Sequence, residues 1–127
     1  VYSRSPLTTH SSTADNPLLS KLIEDSELYY KGVWINAEKA AELGISNGDK
    51  VIVESVYTGA KTEAVAFVSG LVRKDTMFMV SGFGQKSEKL SFIPQRGMTM
   101  MSLVLLQYEQ LSGSTLNQET IVRIVKM

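Results

Sequence analysis

Trp34-Ile35-Asn36-Ala37-Glu38-Lys39-Ala40-Ala41-Glu42-Leu43-Gly44-Ile45-Ser46-Asn47-Gly48-Asp49-Lys50-Val51-Ile52-Val53-Glu54-Ser55 holds, in order, a helix start, a helix stop, a turn and a strand. The Asn36 side-chain oxygen can accept from the free N–H groups that open a helix, Glu38 suits the positive N-terminal end, and Ile35 can pack onto Ala40. The pattern predicts a helix over Ala37 to Leu43. Gly44 supplies the left-handed residue that ends it, and Asn47-Gly48-Asp49 is a turn that favours positive φ. The next residues should leave in extended form, and Lys50 to Tyr57, rich in Val and Ile, is the strand that does so.

Working outward, Thr58-Gly59 turns this strand into a second one, Lys61 to Val68, in which Thr62, Ala64, Ala66 and Val68 alternate with Lys61, Glu63, Val65 and Phe67. The two form a predicted hairpin. Ser69-Gly70 ends it, and Thr76 to Val80 is a third apolar strand running into Ser81-Gly82-Phe83-Gly84. Glu119 to Lys126 is a last strand, and Ser102 to Tyr108 reads as strand or short helix. Before the quoted stretch, Leu18, Leu19, Leu22 and Ile23 have helical spacing, so one short helix is expected within residues 18–31. Ser3 to Pro17, rich in Ser and Thr and holding His10, has no sustained period and is an extended arm or loop. The expectation is one domain over residues 1–127, mainly β with short helices, of compact barrel type.

Composition excludes much. The absence of cysteine removes disulfides, thiolate zinc sites, iron–sulfur clusters and cysteine nucleophiles from this chain. One histidine and scattered carboxylates leave no metal-ligand spacing. Equal numbers of acidic and basic residues, 13 of each, argue against non-specific nucleic-acid binding. No apolar run reaches the ~20 residues of a membrane span, so direct membrane insertion is not expected, and residues 1–20 show no apolar core of an export signal. The charge is nevertheless uneven. Residues 15–63 carry a net of −4, whereas Arg73, Lys74, Lys86, Lys89 and Arg96 against Asp75 and Glu88 give residues 64–101 a net of +3. That suits one small anion, or is solvated surface charge.

Two local features could carry chemistry. Gly82-Phe83-Gly84-Gln85-Lys86-Ser87 follows a strand, and its glycines let backbone N–H groups approach an anion, with Lys86 and Ser87 adding charge and a hydroxyl. A phosphate or pyrophosphate would fit, although it is neither a Walker loop nor a dinucleotide fingerprint, and a glycine corner of a barrel is the plainer reading. His10-Ser11-Ser12-Thr13, with Asp15 and Asn16 behind, offers hydrogen-bond groups to a polar ligand, or is a solvent-exposed terminus. A hydrolase triad is disfavoured, because a nucleophile needs a strained strand-to-helix elbow, whereas Gly44-Ile45-Ser46-Asn47-Gly48 reads as a helix stop and a turn into a strand. Gly113-Ser114 could be a self-cleavage point for a pyruvoyl group, though a surface turn is simpler. Met98, Met100 and Met101 are either core filling or a flexible contact surface.

The quoted stretch, the hairpin, Gly70, the strand Met77 to Val80 and the Gly-Phe-Gly corner together resemble the molybdopterin dinucleotide-binding domain, the C-terminal part of catalytic subunits of the dimethyl sulfoxide reductase family. The arm Thr9 to Pro17, the corner loop, and Ser112-Gly113 followed by Asn117 are most similar to the thiosulfate and polysulfide reductase branch, with arsenate and tetrathionate reductases as close relatives. The resemblance implies a double-psi β-barrel over a bis(molybdopterin guanine dinucleotide) cofactor. It implies that His10, Ser11 and Thr13 contact the pterin and pyrophosphate, with Gly82, Phe83, Gly84, Lys86 and Ser87 beside them and Asn117 as a late polar contact. This chain departs from the branch at Ser81, where histidine is usual, and at Met101, within a run that is usually polar.

By the same resemblance the chain is a fragment of a larger molybdenum reductase, which explains a start at Val1. The molybdenum is then ligated from another domain, any iron–sulfur cluster lies elsewhere in the parent chain, and the isolated domain catalyses nothing. The implied partners are the other domains of that subunit, an iron–sulfur electron-transfer subunit and a membrane-anchor subunit. The implied compartment is the periplasm. The competing readings are a free-standing barrel that binds a nucleotide or a protein, and a self-processing enzyme cleaved at Ser114.

Overall fold

The computed structural model describes residues 2–4, 16–25, 32–84, 98–116 and 119–127. In chain order these form β1 (Tyr2–Arg4), α1 (Pro17–Asp25), β2 (Gly32–Asn36), α2 (Ala37–Glu42), β3 (Lys50–Ser55), β4 (Lys61–Ser69), β5 (Met77–Ser81) and β6 (Val122–Lys126). The six strands make one mixed sheet in the order β1-β5-β2-β4-β3-β6. β4 and β5 are consecutive in the chain, yet β2 lies between them, parallel to β4 and antiparallel to β5. That interposed strand is a ψ connection, and the mainly β architecture with short helices is the one the sequence predicts.

The quoted stretch folds as its residues dictate. Asn36 Oδ1 accepts from the N–H groups of Glu38 (2.9 Å) and Lys39 (3.3 Å), and the helix ends at Glu42 with Leu43 as its cap. Gly44 and Gly48 take φ of 65° and 88°. Asn36 also donates through Nδ2 to the carbonyl of Val72 at 2.8 Å, which ties the helix start to the turn before β5. Replacing it with alanine should therefore cost about 2 kcal/mol, a lost cap plus an orphaned carbonyl. Asn36→Asp keeps the cap and loses only the donor, so urea unfolding should place it between the wild type and Asn36→Ala.

Three readings change. β2 is a strand the sequence pattern does not announce: Gly32 to Asn36 runs straight into α2, with Val33 and Ile35 buried and no turn between strand and helix. It is central, and the absence of a Cβ at Gly32 lets the carbonyl of Val65 and the ring of Phe67 close onto it. On one face Trp34 meets its register partners, Phe78 edge-on at 6.0 Å and Phe67 tilted at 6.2 Å. Second, the arm begins as a strand, since Tyr2–Arg4 pairs in parallel with Met79–Ser81. Third, residues 102–108 are neither strand nor helix. A turn at 101–103 leads into irregular chain whose one regular contact is a bridge from Tyr108 to Thr115.

α1 is capped by Asn16, which accepts from Leu18 and Leu19 N–H at 3.0 and 3.2 Å, with Pro17 in the first helical position. The core is built from Val33 and Ile35 of β2, Val51 and Val53 of β3, and Ala64 and Ala66 of β4. Met98 and Met100 also belong to it, each 4% exposed, whereas Met101 is 59% exposed, so the methionine run divides between interior and surface.

Candidate functional site

β5 ends at Ser81 and the chain turns at once through Gly82 (φ 94°), Phe83 and Gly84 (φ 74°). Both glycines occupy backbone conformations that side chains resist. At Gly84 there is a second constraint, because a Cβ there would collide with the backbone of Met98 and Thr99. Phe83 between them is 7% exposed and buries its ring inside the domain. The corner is thus a bare strip of backbone anchored from below by one aromatic side chain. Backbone N–H groups without neighbouring Cβ atoms are what an anion can approach.

Strand directions bring further segments to this corner. The parallel register sets Tyr2 beside Met79 and Arg4 beside Ser81, so β1 and β5 finish side by side. β6 is antiparallel to β3, β3 to β4 and β2 to β5, while β2 and β4 are parallel. β6 therefore runs opposite to β5, four strands away across the sheet. The chain leaves Arg4 and Ser81 at the common end of β1 and β5, whereas residues 119–122 at the entry to β6 line a cavity with residues 74–77 at the start of β5. His10, Ser11, Thr13, Lys86, Ser87 and Asn117 lie outside the described residues, so of the expected site Gly82, Phe83 and Gly84 are the residues with a described geometry.

The basic segment does not act as one unit. Arg73 grips Asp75 with Nε at 3.1 Å and Nη2 at 2.8 Å. Lys74 bridges Glu42 at 2.8 Å and Glu38 at 3.2 Å. Both cations precede β5, whereas the corner follows it. A five-residue strand separates the two ends by roughly 16 Å. Lys74 therefore ties the turn before β5 to α2, Arg73 pairs within that turn, and both are spent away from the corner; Lys86, Lys89 and Arg96 lie outside the described residues.

These pairs titrate. Hydrogen bonds from Lys74 and then Lys39 hold Glu42 below the usual carboxylate range, and Lys126 does the same to Asp49, aided by the Ser46 N–H. Lys74 is raised by Glu42 and Glu38. The depressed acids contribute stability that is complete above their unfolded values, about 4, and is lost as pH falls through their folded values. Lys74 contributes stability that is complete below its unfolded value, about 10.4, and is lost as pH rises through its folded one. Melting temperature should thus form a plateau between these limits. Lys74→Met should soften both shoulders and return Glu42 toward the ordinary carboxylate range in an NMR titration. The groups are exposed, so added salt should shrink the effect.

Gly113-Ser114 is a surface turn. Gly113 has φ 69°, and the Glu109 carboxylate accepts from Leu111 at 3.0 Å and Ser112 at 2.6 Å, which holds it below its usual range. Ser114 is exposed, and its N–H donates to Ser112 Oγ at 3.2 Å. Nothing in this relaxed turn activates a backbone bond for self-cleavage. Among the described residues no group of His, Cys, Asp or Glu is arranged to hold a metal ion.

One feature has no counterpart in the sequence reading. A cavity of about 550 Å³ opens between the start of β5, the segment 100–104 and residues 119–124. Ile35, Met79, Met100 and Leu103 form its buried floor. No periodic signal marks it, since its walls come from five separate parts of the chain.

Residues 2–117 match the family model described as the Molydopterin dinucleotide binding domain. Over 79 residues, 62% of this chain, the sequence is 38% identical to the thiosulfate reductase molybdopterin-containing subunit of Salmonella typhimurium, of whose length it covers 10%. The fold superposes on acetylene hydratase from Pelobacter acetylenicus with a TM-score of 0.72 at 13% identity, covering 99% of this chain and 18% of that one. The chain thus spans a small part of the length of each protein it matches.

Proposed function

The chain belongs to the molybdopterin dinucleotide-binding domain family, and we propose on that footing that it helps hold bis(molybdopterin guanine dinucleotide) in a longer molybdenum reductase acting on thiosulfate or polysulfide. The observation that carries the reading is the common end at which β1 and β5 finish. It is the arrangement needed if the arm with His10, Ser11 and Thr13 and the corner with Lys86 and Ser87 are to converge on one dinucleotide, to which Asn117 adds a late polar contact. The corner fits such a group, for Gly82 and Gly84 present backbone without side chains, and Phe83 is spent on anchoring.

When bound, the cofactor supplies the redox chemistry at molybdenum ligated from another domain. The work of this chain is binding. The corner N–H groups and Lys86 neutralise the pyrophosphate, Ser87 and Thr13 donate hydroxyls, and the buried ring of Phe83 holds the strip in register. An iron–sulfur cluster in the parent chain, an electron-transfer subunit and a membrane-anchor subunit complete the electron path. Periplasmic location and a role in anaerobic respiration follow from the same branch of the family.

The test is made on the full-length protein that carries this domain. Molybdenum and the guanine nucleotide released on acid hydrolysis should be found at two guanines per metal; a preparation with neither sinks the reading in favour of a free-standing binding module. Lys86→Ala should lower cofactor retention on the order of tenfold or more, as loss of a charge-assisted phosphate contact does. Arg73→Ala should leave retention unchanged, because Arg73 is committed to Asp75.

A further inference from the structure

We infer that Asn47 is a latent site of spontaneous deamidation, held closed by hydrogen bonds to β4 and opened when the turn before β3 parts from that strand. The inference is independent of the cofactor reading, since it concerns the chemistry of two adjacent residues in that turn.

Asn47-Gly48 is a dipeptide in which this reaction meets little steric resistance, because glycine presents no Cβ to hinder ring closure. The Gly48 nitrogen gives up its proton to a base in water and attacks the Asn47 Cγ. A C–N bond forms, the bond from Cγ to Nδ2 breaks, and the side-chain nitrogen leaves as ammonia. The cyclic imide then takes up one water and opens at either carbonyl, giving aspartate or isoaspartate. Asn47 and Gly48 are both exposed, so water reaches them and burial gives no protection.

The fold instead engages each reacting group. Gly48 N–H donates to the Ala66 carbonyl at 2.8 Å, which occupies the nucleophile. Asn47 Oδ1 accepts from Val68 N–H at 3.0 Å, which fixes the carboxamide against β4. Ala66 N–H donates in turn to the Asp49 carbonyl at 2.9 Å, so the same two residues of β4 hold the whole turn. The adjacent carboxylate is occupied as well, since Asp49 accepts from Ser46 N–H at 2.7 Å and pairs with Lys126 at 2.6 Å. Attack requires Gly48 N–H and the Asn47 carboxamide to be released together, which is a local opening of the turn from residues 66–68. Two hydrogen bonds of ordinary net strength make that opening costly enough to slow the reaction roughly tenfold or more relative to the unfolded chain.

The two products differ in their fit. Aspartate keeps a side-chain oxygen for Val68 N–H. Isoaspartate routes the main chain through the side-chain carbon, lengthens the turn by one atom and takes Gly48 N–H out of register with Ala66. Prolonged unfolding therefore becomes irreversible at this turn.

The full-length protein that carries this domain is incubated at mildly alkaline pH, folded and in urea, and digested with trypsin. The peptide from Ala40 to Lys50 holds Asn47 as its sole asparagine, so its acidic and isoaspartyl forms report this site alone. Conversion in urea should exceed that of the folded protein by roughly tenfold or more, and Gly48→Ala should slow it in urea, where folding plays no part. After removal of urea, Asn47→Asp should refold, whereas chains carrying isoaspartate should collect in the fraction that does not. Equal rates in the folded and unfolded protein overturn the proposal, as does an unfolded chain that does not convert or isoaspartate spread evenly between the refolded and unfolded fractions.

Discussion

Gly84→Ala should destabilise the domain by about 2–6 kcal/mol and weaken cofactor retention with it. Two costs combine at that position. A side chain must adopt the left-handed backbone at φ 74°, worth about 1–3 kcal/mol, and its Cβ must force apart the corner and the Met98–Thr99 backbone, worth about 1–3 kcal/mol more. Gly44→Ala isolates the first cost. Its φ of 65° is similar, and nothing lies within 4 Å of the added methyl group. Urea unfolding of the two variants should therefore differ by the close-approach cost alone, and equal losses would show that the corner does not rest on residues 98–99. Relief of the collision requires the corner to move, which displaces the N–H groups proposed to face the pyrophosphate.

Leu103→Ala should be the other severe change, at about 2–5 kcal/mol. Leu103 is 2% exposed, belongs to the hydrophobic core and also floors the cavity, so deleting its methyl groups removes buried contacts and deepens an existing hollow. Neighbouring atoms have little freedom to close the gap, because the cavity already takes up the slack on one side. Leu106→Ala, a few residues on and 64% exposed, should change stability by less than about 0.5 kcal/mol. Thermal melts of the pair test whether the irregular segment is part of the core or a surface loop.

That segment shows where the sequence stops being readable. Val51, Val53, Ala64 and Ala66 alternate with polar or half-buried neighbours, so β3 and β4 are visible as a hairpin in the amino-acid order alone. Asn36, Gly44 and Gly48 mark helix and turn by backbone chemistry that acts over a few residues. Leu103 carries no such mark. Its burial comes from a core cluster with Ile35 and Met79, which are distant in sequence. β2 escapes for another reason: a short apolar strand joined directly to a helix cap shows neither alternation nor a turn, and Ile35 serves both as strand residue and as the apolar neighbour of Ala40.

The candidate site divides in the same way. Gly82 and Gly84 are legible because positive φ after a strand needs glycine. The charge of Arg73 and Lys74 is legible too, but its use is not, since Lys74 is taken up by Glu38 and Glu42 of α2 and Arg73 by Asp75. Net charge along the chain groups residues by order, whereas an anion groups them by place.

The pairing of Tyr2–Arg4 with Met79–Ser81 also has a consequence in time. β2, β3, β4 and β5 can associate as soon as they exist, whereas β1 contributes three residues to a contact that encloses most of the described chain. Closing so long a loop is entropically unfavourable until its landing place has formed. β1 therefore adds to the edge of the sheet only once β5, its landing place, has formed on β2.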